Sequence, residues 1–100
     1  MFAEEYLCGA DISKFSDEGN LEIKSYTRLG NIFMRETQYG KSIFTISDET
    51  NAVLILTQSE PPETIFITII DKKNKTFLEH FINISREKSI GLSGECLVRN

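Results

Sequence analysis

The side chains able to do chemistry in this chain are few and poorly grouped. His80 is the only histidine, Cys8 and Cys96 lie near opposite ends, and Gly91-Leu-Ser-Gly94 is the nearest approach to a serine nucleophile motif. A single histidine excludes every site that needs two and leaves a Cys–His pair as the sole dyad among the commoner nucleophilic arrangements. The Gly91 to Gly94 run lacks the GxSxG spacing and the apolar strand that should precede it. No P-loop, GxGxxG, HExxH or EF-hand loop occurs. Glu60 and Glu63 flank the rigid Pro61-Pro62 pair, and paired carboxylates can divide acid and base roles, but no second element marks a cleft around them. The expectation is a protein that is not an enzyme and uses no cofactor and no metal.

The cysteines show no CxxC and no neighbouring His, a poor match to zinc or redox spacing. They read as two free thiols, small buried apolar side chains in a reducing compartment. Met1 to Ala10 carries Glu4 and Glu5 but no basic residue before an apolar run, unlike a secretory signal. Asn74-Lys-Thr76 and Asn83-Ile-Ser85 match the glycosylation pattern and, without export, read as chance matches. The longest strongly apolar run, Ala52 to Leu56, is far shorter than the roughly 20 residues of a bilayer-spanning helix. A cytoplasmic protein without a membrane role follows.

Charge is unevenly placed. Residues 1–22 carry a net −5, 23–41 a net +3, 42–71 a net −5 with no Lys or Arg at all, and 72–100 a net +3. Four of the five acids in the third block, Asp48, Glu49, Glu60 and Glu63, fall in two connections between apolar runs. Gathered on one side, they would steer the protein toward a basic partner. Nucleic acid is disfavoured as a direct partner, because it needs clustered Lys and Arg on one face and Lys72-Lys-Asn-Lys75 is the only cluster. That cluster reads as a soluble hairpin tip.

The elements that would position these groups are strands. Leu21 to Leu29 alternates, with Leu21, Ile23, Ser25, Thr27 and Leu29 on one side and Glu22, Lys24, Tyr26 and Arg28 on the other. Gly30-Asn31 signals a turn before Ile32 to Thr37, and Tyr39-Gly40 punctuates the chain before Lys41 to Ser47. Ala52 to Thr57 is apolar on both faces. Ser59 to Glu63 must be a connection, because proline cannot donate to a ladder. Thr64 to Ile70 is too rich in β-branched residues for a helix, and Thr76 to Ile84 pairs with it as a hairpin. A helical stripe through Phe77, His80, Phe81 and Ile84 is the alternative for that last segment. As a strand it groups His80 with Leu78 and Ile82, which makes His80 a core residue. Phe2 to Leu7 fits a helical turn or a short edge strand, and the Glu4-Glu5 pair favours the helix. Ser85 to Gly94 reads as an irregular return, and Glu95 to Arg99 as a final strand.

One hundred residues form one domain, 1–100, able to bury its own core. About seven short strands with turn chemistry between them give a mainly β fold, an antiparallel β-sandwich or small barrel with at most one short N-terminal helix. With catalysis and cofactors set aside, binding is the expected work. The leading expectation is an acidic binding protein that neutralises a specific, basic protein partner, an immunity protein or antitoxin blocking a nuclease toxin. Asp48, Glu49, Glu60 and Glu63 would be its contact residues, and Tyr39 or Phe33 its aromatic anchor. The alternative is a structural or assembly subunit that self-associates through exposed strand edges.

Overall fold

The computed structural model describes residues 4–10, 22–38, 40–60 and 63–99. Eight strands follow in chain order: β1 (Glu5–Ala10), β2 (Glu22–Leu29), β3 (Ile32–Thr37), β4 (Gly40–Glu49), β5 (Val53–Glu60), β6 (Thr64–Asp71), β7 (Thr76–Asn83) and β8 (Lys88–Arg99). Each pairs antiparallel with the next, and β8 returns to β1, so the sheet closes into an up-and-down barrel. The sandwich reading gives way to the barrel, and seven strands become eight.

The added strand is β1, in the segment where a helical turn was expected. Both its edges are paired, to β2 and to β8, and Tyr6 and Cys8 alternate into the interior. Residues 76–83 are likewise strand and not helix. The glycine-rich stretch expected to be irregular belongs to β8, one continuous strand of 12 residues. Its glycines mark close approaches: a Cβ at Gly94 would lie 2.0 Å from the Gly9 carbonyl oxygen and 2.9 Å from the Phe77 ring. A Cβ at Gly91 would meet His80 Cε1 at 3.2 Å.

Local chemistry holds the hairpins. Leu29 faces Ile32 across a two-residue turn in which Gly30 takes a φ of 67°, a conformation costly for other residues. Asp71 ends β6 and accepts hydrogen bonds from the backbone N–H groups of Lys73 (3.0 Å) and Asn74 (2.9 Å), shaping the turn into β7. Asn83 does the same for Arg86 N–H at 3.1 Å. The register slips between Ile46 and Asp48, a bulge that bends β4 at its end.

Cys8 and Cys96 are direct partners across the β1–β8 seam and form a disulfide. This corrects the expectation of free thiols. Residues 88 apart in sequence become neighbours only because the sheet closes on itself. Around the bridge the interior is filled by Tyr6, Tyr26, Phe33, Phe44 and Phe77 with Leu54, Leu56 and Ile70. Each fully buried apolar side chain of this size contributes about 1.5–3 kcal/mol. Tyr26 meets Phe44 edge-on at 6.2 Å, the geometry their ring quadrupoles favour.

Candidate functional site: an ionic layer inside the barrel

The buried side of β2 is the charged one. Lys24 is 4% exposed and Tyr26 fully buried, while Ile23 and Leu29 lie outside at 56% and 46%. The same inversion governs β7. Phe77 and Glu79 point inward and Leu78 outward, so His80 is exposed on the outer wall and is not the core residue its aliphatic neighbours suggested. Phenylalanine, larger than the aliphatics, takes the interior, and strand parity carries Glu79 in with it.

Four strands deliver a polar layer above the apolar base. Lys24 Nζ from β2 pairs with Glu79 Oε1 from β7, and Arg35 Nη1 from β3 reaches Glu79 Oε2 at 3.1 Å. The Tyr26 hydroxyl donates to Glu79 Oε2 at 2.8 Å and lies 3.2 Å from the Thr68 hydroxyl of β6. Glu79 thus meets three donors. Burial works against its ionisation, but the Lys24 hydrogen bond and charge, joined by Tyr26 and Arg35, outweigh that and hold the carboxyl below its usual range. Burial, reinforced by the Glu79 charge, pushes the Tyr26 phenol up.

Arg35 is clasped as well as paired. Its guanidinium lies 4.8 Å from the Phe44 ring centre and 5.0 Å from that of Phe66. Its Nε and the Gln58 Oε1 are buried, and neither meets a hydrogen-bond partner among the described residues.

A second ionic group closes the other end. Arg28 bridges Glu4, at 3.0 Å, and Glu49, while Lys72 Nζ joins Glu49 at 2.7 Å. The Lys72 hydrogen bond, with Arg28, holds the Glu49 carboxyl below its ordinary range. Tyr6 donates to Glu4 beneath them.

The residues expected to contact a partner are dispersed. Phe33 is 0% exposed and sits in the core, where it offers a partner no surface. Asp48 and Glu49 precede the β4–β5 connection, whereas Glu60 ends β5 and Glu63 follows it, so the two acid pairs occupy opposite ends of the barrel. Glu49 already has two cations. Asp48 and Glu63 are exposed, and Tyr39 lies outside the described residues. The Cys–His dyad does not form, because both sulfurs are in the interior disulfide and His80 is outside. Among the described residues no group of three or more His, Cys, Asp or Glu is placed to hold a metal ion.

Sequence reasoning missed Lys24, Tyr26, Arg35, Thr68 and Glu79. The usable signal was Phe77-x-Glu79-x-Phe81 beside Lys24-x-Tyr26-x-Arg28: aromatics and charges sharing a strand face, as in a barrel whose polar centre is ion-paired. Together these features define a small closed antiparallel β-barrel with a buried ionic layer beside an apolar core. A scan for family models, a comparison with curated proteins and a comparison with solved structures each find no match.

Proposed function

We propose that this barrel is a non-catalytic binding protein that engages a protein partner along the outer wall of β5, β6 and β7. The observation that carries the reading is the placement of polarity: an ion-paired layer is buried inside the barrel while the outer wall of these strands is uncharged and mostly aliphatic. Three rows cross it, Ile55–Ile69–Leu78, Thr57–Ile67–His80 and Ser59–Ile65–Ile82. Below Ser59 and above Asp71 the outward positions carry no Asp, Glu, Lys or Arg. A contiguous apolar patch of this kind on a water-exposed surface marks an interaction site.

The acids return in this setting. The connections at the two ends of β5 flank the wall lengthwise, so a partner lying along it meets Asp48 at one end and Glu63 at the other. A partner with an apolar patch between basic groups is complementary to that pattern. Neutralisation of a basic nuclease by an immunity protein or antitoxin is the sharpest form of this reading, and the net charge of −4 supports it. The disulfide weighs against the cytoplasmic expectation, since such bridges persist mainly in oxidising compartments.

A second reading, self-association, has one feature in its favour: two copies of an uncharged wall do not repel. The strand edges first expected to mediate it are all paired in the closed barrel, so assembly would use the wall instead.

The test places a photo-crosslinking amino acid at Leu78 in cells that make the protein, with Leu97 on β8 as the control position. Under the proposal a discrete adduct forms at Leu78, and Ile67→Lys abolishes it without changing thermal stability. Adducts from Leu97 alone, or adducts indifferent to Ile67→Lys, defeat it. Sedimentation velocity of the purified protein separates the readings: a self-associating species lost in Ile67→Lys favours assembly, and a monomer favours a foreign partner.

A further inference from the structure

The uncharged wall of β5, β6 and β7 contains one side chain of a type that changes charge near neutral pH. His80 is exposed in the middle row, Thr57–Ile67–His80, with Leu78 and Ile82 on either side of it along β7. Histidine ordinarily gains or loses its proton between about pH 5 and about pH 8. Its surroundings offer no counter-charge. On β6 the outward residues beside it are Ile65, Ile67 and Ile69, and on β8 they are Ser89, Gly91 and Ser93. The nearest outward carboxylates on those two strands, Asp71 and Glu95, are both in register with Thr76, four residues along β7. Glu79, next to it in sequence, points into the barrel and is committed to Lys24 and Arg35.

Gly91 lies directly opposite, and the imidazole leans over it: a Cβ there would fall 3.2 Å from Cε1 and 3.5 Å from Nδ1. The absence of a side chain at that position leaves the ring room to lie along the wall, where a docked partner would cover it. In the free protein water solvates either form of the ring. Under a partner the cation loses that water, and burying an unpaired charge costs far more than burying the neutral ring. The basic groups of a partner that complements Asp48 and Glu63 add repulsion.

We propose that His80 is a pH switch within the docking wall: the partner is held while the imidazole is neutral and released when the ring takes up a proton. The inference rests on the wall being the docking surface. Because the covered state favours the neutral ring, protonation favours the free protein, so affinity is complete on the alkaline side and is lost as pH falls. It follows the fraction of rings that are neutral, approaching a tenfold loss for each pH unit once most are protonated.

The test uses the photo-crosslinking amino acid at Leu78 in the whole protein, with lysate of the cells that make it brought to a series of pH values before irradiation. The yield of the discrete adduct should fall about tenfold between about pH 8 and about pH 5.5, as the neutral fraction of an ordinary histidine does. In His80→Gln and His80→Leu the ratio of the two yields should approach one, whatever the yield at the alkaline end. His80→Lys, a permanent cation, should crosslink no better at either pH than the wild type does in acid. Equal wild-type yields across the series, a neutral variant that keeps the fall, loss of the adduct from both neutral variants, or a His80→Lys protein that crosslinks as the wild type does at the alkaline end would each overturn the switch. A pH-blind adduct sinks the switch and spares the docking wall, whereas the absence of any adduct at every pH removes both.

Discussion

Lys24 and Glu79, 55 residues apart in the chain, form an ion pair inside the barrel, and Arg35 binds the second oxygen of the same carboxylate. The three groups are unequal. Removing Glu79 strands two cations, whereas removing Lys24 leaves Glu79 paired with Arg35. Glu79→Gln should therefore cost about 3–5 kcal/mol, the range for breaking a buried pair from one side, and Lys24→Met clearly less. Urea denaturation of both variants measures the order. If Lys24→Met is the more damaging, Glu79 is not the hub.

The same carboxylate sets an acid limit on stability. Its folded pKa lies below its ordinary value of 4.5, so the native state binds the proton less readily than the unfolded chain. The stabilisation is complete above pH 4.5 and is lost as pH falls through the lower folded value. Glu49 and Asp71 are shifted in the same direction by their own partners, so the protein as a whole weakens in acid. Glu79→Gln should lose less stability than wild type as pH falls from about 5 through the acid range, as the linkage relation requires. Parallel urea midpoints for the two proteins across that window would contradict the assignment.

Strand content was legible in the sequence because β-branched runs and turn residues act locally. Thr64 to Ile70, the Gly30-Asn31 turn and the Asp71 turn depend on neighbours a few positions away. Which face of a strand is buried is not local. On β2 and β7 hydropathy favours Ile23 and Leu78 for the interior, yet the rings of Tyr26 and Phe77 fill it and draw Lys24 and Glu79 inward. Closure was equally out of reach, because the β1–β8 seam joins residues whose separation in sequence carries no information about pairing. The dispersal of the acid pairs follows from closure and alternation together: successive connections of an up-and-down barrel must fall at opposite ends. Asp48 and Glu63 remain as exposed acids without an ion-pair role, one at each end of β5.

The seam itself is testable. Cys8–Cys96 closes a loop of 88 residues, and the chain-entropy argument assigns such a cross-link about 4–5 kcal/mol through the unfolded state. Protein purified without reductant should be lighter than the reduced form by two hydrogen atoms. Reduction, or the Cys8→Ser/Cys96→Ser pair, should lower the melting temperature by well over 10 °C, given about 4–8 °C per kcal/mol for a domain of this size. An oxidised and a reduced protein that melt together would show that the barrel closes without help from the bridge.

Gly94 and Gly91 lie on the same strand and separate two uses of glycine. At Gly94 a methyl group would collide with the backbone of β1, 2.0 Å from the Gly9 oxygen, and backbone cannot rotate away. The seam would have to open, so Gly94→Ala should cost at least the 1–3 kcal/mol typical of overpacking and loosen the pairing of β8 with β1. At Gly91 the nearest atom belongs to the exposed His80 ring, which can swing toward solvent. Gly91→Ala should fall within about 0.5 kcal/mol of wild type, as surface substitutions do. Thermal denaturation of the two variants, with hydrogen exchange at the Cys8 and Cys96 amides, distinguishes them. Equal costs would mean that β1 and β8 are free to separate at Gly94, and the closeness of the seam would no longer explain the glycine.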